Sequence, residues 1–126
     1  MNRITILIAS NDETIIDSIA NILDKEQFRP VYSNKASEAL LKILDVNLDL
    51  LILDIDLPGM SVLEILPIIK KVNQDMPLVV ISSDDSFKTG QEIARLGRSL
   101  YLMKPIAIDK LQTFLNYIKP TLSTVK

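Results

Sequence analysis

The sequence has no cysteine and no histidine. Without cysteine there are no disulfides and no thiolate metal sites. Without histidine, imidazole acid–base catalysis, serine–histidine triads and most zinc sites drop out together. Glycine is scarce: with only Gly59, Gly90 and Gly97, neither a G-x-G-x-x-G fingerprint nor a P-loop can be assembled. No apolar run approaches the length of a membrane span, and the opening MNRITILIAS lacks a signal-peptide layout. The expectation is a soluble cytoplasmic protein without membrane contact. A formal net charge of −2 gives no electrostatic argument for a nucleic-acid partner.

What is present is ordinary globular material. Hydrophobic residues make up 48% and charged residues 24% of a 126-residue chain, enough for one domain with a real core. The stretch that organises it is LDLLILDIDLPG, Leu48 to Gly59. Leu50, Leu51, Ile52 and Leu53 form a continuous apolar run, which fits a strand buried on both faces. Asp54 follows abruptly, Asp56 comes two residues later, and Pro58-Gly59 signals a turn. A carboxylate at the carboxyl end of a buried parallel strand stands where open α/β sheets keep their ligands. Taken alone, Asp54 fits a turn or helix cap equally well.

The rest of the chain alternates. Ile4 to Ala9 is a second buried strand, ended by Ser10, Asn11 and Asp12. From Thr14 the pattern is helical, with Ile15, Ile19, Ile22 and Leu23 on one stripe and Asp12 as a cap. Phe28 to Ser33 is a weak strand whose Pro30 suits an edge position. Ala36, Ala39, Leu40, Ile43 and Leu44 mark a second helix. Ser61-x-x-Glu64 matches a capping box and opens a third, which Pro67 should kink or delay. Pro77 to Ile81 is a fourth strand, ending at Ser82-Ser83. Asp84 or Asp85 is placed to cap the next helix. Its poor periodicity and internal Gly90 predict the least firmly held of the helices, with Gly97 as terminator. Leu100 to Met103 is a short fifth strand, ended by Lys104-Pro105. Ile108, Leu111, Leu115 and Ile118 mark a last helix that Pro120 should stop. One domain over 1–120 with a short, frayed tail over 121–126 is expected. Five strands alternating with five helices argue for an α/β fold, a doubly wound parallel sheet with helices on both faces.

The carboxyl edge of that sheet would carry Ser10, Asn11, Asp54, Ser82 and Lys104. An acid, a hydroxyl and a cation converging on one crevice suit an anionic transferable group. Three segments, LILDIDLPGM around Asp54, VVISS with Ser82, and YLMKP with Tyr101, Lys104 and Pro105, carry a wider likeness. Over nearly its whole length the chain resembles a response-regulator receiver domain of two-component signalling. The resemblance implies a five-stranded, flavodoxin-like (βα)5 sheet in strand order 2-1-3-4-5 and a cis Lys104-Pro105 bond. It implies that Asp54 accepts a phosphoryl group from the phosphohistidine of a sensor histidine kinase or phosphotransfer protein. Ser82 and Lys104 would bind phosphoryl oxygens, and a downstream protein target would receive the signal. Tyr101 would be the switch aromatic; a half-buried strand tyrosine is the plainer reading.

The likeness fails at one place that matters. The family's two acidic residues at the end of the first strand, which hold Mg²⁺, align here with Ser10 and Asn11. Asn11 retains a neutral carbonyl oxygen and Ser10 can orient a water, but Mg²⁺ prefers carboxylates and phosphates. Asp12 stands one residue late. Asp56 is placed near the crevice and would restore one charge, so Asn11, Asp54 and Asp56 form the candidate metal set, with Mg²⁺ weakly held or lost. With fewer competing acids, Asp54 should close directly on Lys104 as an ion pair. Arg98, Ser99 and Leu100 replace acids common in receivers that dimerise near the fifth strand, so that dimer is not expected. Leu100 and Tyr101 are candidates for an apolar contact face. The main expectation is a receiver phosphorylated on Asp54 and signalling through protein contacts. The alternative is a degenerate pseudo-receiver that binds partners without phosphorylation. An unrelated enzyme or cofactor binder on the same fold is opposed by the missing histidine and glycine-rich loop.

Overall fold

A computed structural model describes residues 3–45, 47–59, 61–83, 87–95 and 98–123. The chain alternates as β1 (Ile4–Ala9), α1 (Glu13–Ile22), β2 (Phe28–Ser33), α2 (Ala36–Asp45) and β3 (Leu50–Asp54). It continues as α3 (Val62–Val72), β4 (Leu78–Ser82), α4 (Phe87–Ala94), β5 (Ser99–Met103) and α5 (Ile108–Ser123). The strands form one parallel sheet in the order β2-β1-β3-β4-β5. This is the expected doubly wound topology.

The apolar strands are continuous because both faces are covered. Leu7, Leu51, Leu53, Leu78 and Val80 point to a core built with α2, α3 and α4, through residues such as Ala39, Ile65 and Ile93. Ile6, Ile8, Leu50, Ile52, Val79 and Ile81 point the other way, to Ile15 and Ile19 of α1 and Leu111, Leu115 and Ile118 of α5. The strand period of two splits each run between the two cores. Pro30 lies on β2, an edge strand, where its missing N–H leaves the ladder intact.

Several local expectations are corrected. Ser61 sits at the N-cap of α3, but its side chain makes no cap hydrogen bond; only its carbonyl accepts, from the Glu64 N–H. Pro67 does not delay α3, which begins at Val62 and runs through it to Val72. Pro120 does not stop α5, which continues to Ser123. The physical reason is Leu122, buried against the α1/α5 core, which holds the last turn in place. Leu100 and Tyr101 do not share a face: alternation sends Leu100 to one core and Tyr101 to the other. Asp84, Asp85 and Gly97, expected to cap and end α4, lie outside the described residues. The Lys104-Pro105 peptide bond is cis, as expected.

Candidate functional site

Register places the site. The β1–β3 ladder pairs Ala9 with Leu53, so the next residues, Ser10 and Asp54, come level at the sheet's carboxyl edge. On the other side Asp54 pairs with Ile81, and Ser82 pairs with Met103, one residue before Lys104. Four neighbouring strands, β1, β3, β4 and β5, therefore deliver Ser10, Asp54, Ser82 and Lys104 to one edge.

Asp54 is 0% exposed. A carboxylate so placed requires donors, and it has three. Its Oδ1 accepts from the Lys104 ammonium at 3.0 Å and from the Asp56 N–H at 3.0 Å. Its Oδ2 accepts from the Ser10 hydroxyl at 2.8 Å. The Asp56 N–H bond is an Asx-type turn, the local reason an aspartate ends this strand so abruptly. Gly59, at φ +114°, then turns the chain so that the Pro58 carbonyl accepts the Ala36 N–H at the start of α2.

Lys104 reaches both acids. Its ammonium is 2.9 Å from Asp56 Oδ2, and its side chain is 21% exposed against 45% for Asp56. The Ser83 hydroxyl donates to the same Asp56 Oδ2 at 3.1 Å. The hydrogen bond from Lys104 holds the Asp56 carboxyl below the ordinary 3.8, against the opposing effect of burial. Burial pulls the Lys104 ammonium down, but the hydrogen bonds and charges of Asp56 and Asp54 outweigh it, leaving Lys104 above 10.5.

Ser82 is wholly buried, and its carbonyl accepts the Lys104 N–H at 2.9 Å, which ties the two strand ends together. Tyr101 is half-buried on β5 against the α2–α4 core. Asn11 is exposed, and no hydrogen bond joins it to Asp54 or Asp56. Asp12 is committed elsewhere: its Oδ1 caps α1 by accepting from the N–H groups of Thr14 and Ile15 at 3.0 and 3.4 Å. Sequence reasoning assigned Ser10 a water-orienting place and missed its direct bond to Asp54. It also missed Ser83, the first residue after β4; the Ser82-Ser83 doublet at the strand end was the available signal.

Receiver domains generally bind Mg²⁺ at the phosphorylation site. Here the nearby carboxylates, Asp54 and Asp56, are both engaged by one ammonium, and the β1 end contributes a hydroxyl donor instead of acids. Among the described residues no group of three acidic, histidine or cysteine side chains is placed to hold a metal. As it stands, this donor set does not fit a divalent ion. Beside the site, a cleft of about 420 Å³ is lined by residues including Asp12, Thr14, Ser18, Lys104, Pro105 and Ile106. No helix among the described residues is long and apolar enough to cross a membrane.

Comparison with known proteins agrees with this geometry. A family model described as response regulator receiver domain matches residues 6–116. The chain is 35% identical over 113 residues to a putative response regulator, NtrX-like, of Rickettsia bellii, covering 88% of this chain and 24% of that protein. It is 29% identical over 111 residues to a DNA-binding transcriptional regulator, NtrC, of Azospirillum brasilense, covering 88% of this chain and 23% of that one. The chain thus spans about a quarter of the length of these curated relatives. Among solved structures, a CheY-like receiver domain protein from Methanospirillum hungatei superposes with a TM-score of 0.84 at 26% identity, covering 99% of this chain and 100% of that one.

Proposed function

The chain belongs to the response regulator receiver domain family, and we propose that within it Asp54 accepts a phosphoryl group from a histidine kinase or phosphotransfer protein in a cytoplasmic phosphorelay. The observation that carries this is the Asp54 carboxylate itself, wholly buried at the sheet's carboxyl edge yet facing a lysine ammonium. In the transfer an Asp54 oxygen forms the new O–P bond as the P–N bond to the donor imidazole breaks, and the imidazole leaves with the electron pair and takes up a proton. Phosphoryl transfer demands positioning and charge neutralisation more than covalent help from the protein. Lys104 supplies the charge, and the buried Ser82 at the neighbouring strand end supplies a hydroxyl for a phosphoryl oxygen. A cleft of about 420 Å³ between the start of α1 and the Lys104-Pro105 segment opens beside Lys104. Tyr101, on the strand that ends one residue before Lys104, reports the change outward to a protein target. Mg²⁺ is held weakly or not at all. No nucleic-acid contact is proposed for these residues.

The test is incubation with acetyl phosphate, with and without Mg²⁺, followed by intact-protein mass spectrometry. A phosphoryl adduct that disappears in Asp54→Asn is expected; no adduct on the parent chain under either condition overturns the reading. The second reading, partner binding without phosphorylation, is favoured by Ser10 and Asn11 at the metal-binding positions. It predicts no adduct, and no change at the Tyr101 resonances on adding beryllofluoride.

A further inference from the structure

One ammonium serves two carboxylates. Lys104 Nζ lies 3.0 Å from Asp54 Oδ1 and 2.9 Å from Asp56 Oδ2, so it sits at the point where the two acids converge. The pair is not held by chance rotamers. Asp54 is fixed by Ser10 and by the Asp56 N–H, and Asp56 by Ser83. Lys104 is anchored at its own backbone through the Ser82 carbonyl. The third oxygen-bearing wall of the crevice, the end of β1, is neutral: Ser10 spends its proton on Asp54 Oδ2 and accepts the Asp12 N–H at 3.1 Å.

We propose that the Lys104 ammonium is itself the resident cation of this crevice, with Asp56 as the residue that positions it, and that a divalent ion enters only by displacing it. The reasoning is electrostatic. Two acids and one ammonium leave the crevice with a formal charge of −1, where two unpaired acids would leave −2. Any divalent ion in contact with both carboxylates would stand within a few ångströms of the ammonium and be repelled by it. Mg²⁺ also requires free oxygen lone pairs in near-octahedral array, and the inner Asp54 oxygens already carry three hydrogen bonds. Loss of the acids at the β1 end and recruitment of Asp56 are then two halves of one exchange. A diffusible ion whose occupancy follows its concentration is replaced by a tethered charge whose occupancy does not.

This inference deepens the acceptor reading, but its test needs no phosphodonor, so the two fail independently. Free Mn²⁺ is counted by electron paramagnetic resonance during titration of the intact chain and three variants. The parent should bind weakly. Lys104→Met should bind Mn²⁺ at least about tenfold more tightly, because the two carboxylates lose their cation. Lys104→Arg, which keeps the charge, should not gain. Lys104→Met combined with Asp56→Asn should lose the gain, since only one acid remains. In parallel, millimolar Mg²⁺ should raise the thermal midpoint of Lys104→Met and leave that of the parent unchanged, by simple binding linkage. Should Lys104→Met be unfolded in metal-free buffer, Lys104→Gln carries the same comparison. Equal Mn²⁺ affinity in the parent and the charge-removed variant overturns the proposal. So does a gain that survives Asp56→Asn.

Discussion

A buried carboxylate is tolerable only while its oxygens are satisfied, and at Asp54 Oδ2 the donor is Ser10. A hydrogen bond to a charged group contributes about 1.5–3 kcal/mol, so Ser10→Ala should lower unfolding stability by that amount in urea titration. A loss under about 0.5 kcal/mol would mean that Oδ2 finds another donor. Lys104 gives a pH signature. Its folded value is raised above 10.5, so its contribution is complete below 10.5 and is lost as pH rises through the raised value. The stability gap between the parent and Lys104→Met should therefore narrow above that pH, read by urea midpoints across an alkaline series. Asp56 behaves in the opposite sense. Its folded value lies below 3.8, so its contribution is present above 3.8 and is lost as pH falls through the lowered value. The gap to Asp56→Asn should close in acid, and it should be small because the side chain is largely solvated.

At the scale of elements, the two glycines of known conformation make opposite predictions. Gly59 turns the chain after β3 at φ +114°, and a Cβ there would stand 3.4 Å from the Ala36 backbone nitrogen. Gly59→Ala should therefore cost about 1–3 kcal/mol, through a backbone region that side chains rarely adopt. It should also disturb the Asp54 crevice, because Gly59 lies in the loop that leaves β3 through the turn between the Asp54 carbonyl and the Leu57 N–H. Gly90 lies inside α4, the shortest helix among the described residues, with no positive φ. A Cβ there would meet Tyr101 Cδ2 at 4.0 Å, an ordinary contact. Gly90→Ala should stabilise by about 0.4–1 kcal/mol in urea melts, since it removes unfolded-state freedom without a clash. The same contact places the Tyr101 ring beside α4, so the helix with an internal glycine borders the residue proposed to carry the signal.

For the whole molecule the decisive feature is a sheet with a core on each face. Every residue of β3 and β4 is buried, so the strands that carry Asp54 and Ser82 are held from both sides. Truncating one of them, as in Ile52→Ala, should cost about 2–5 kcal/mol by cavity formation. A chain of this size should still unfold in one cooperative transition, with coincident near- and far-UV circular dichroism, because every strand contributes residues to the two cores. The opposite chain ends meet this framework differently. β1 begins it at Ile4, and α5 closes it through Leu122, which is why the last helix outruns the proline that local rules assign as its stop.

Alternation of apolar runs and helical stripes was enough to determine the element order, the doubly wound sheet and the gathering of Ser10, Asp54 and Lys104 at one edge. Those features follow from periodicity, which is local and printed in the chain. Pro120 departs from the local expectation for the complementary reason: a proline's effect depends on what the rest of its helix is packed against. Only the tertiary structure decided how the crevice is wired. Asp56 is two residues from Asp54, but its side chain meets Lys104 across 48 residues of sequence, and Ser10 meets Asp54 across 44. Spacing along the chain shows which groups reach the same edge. Whether the lysine serves one acid or two, and whether a serine orients a water or bonds Asp54 directly, depends on contacts of a few ångströms set by strand register and side-chain reach.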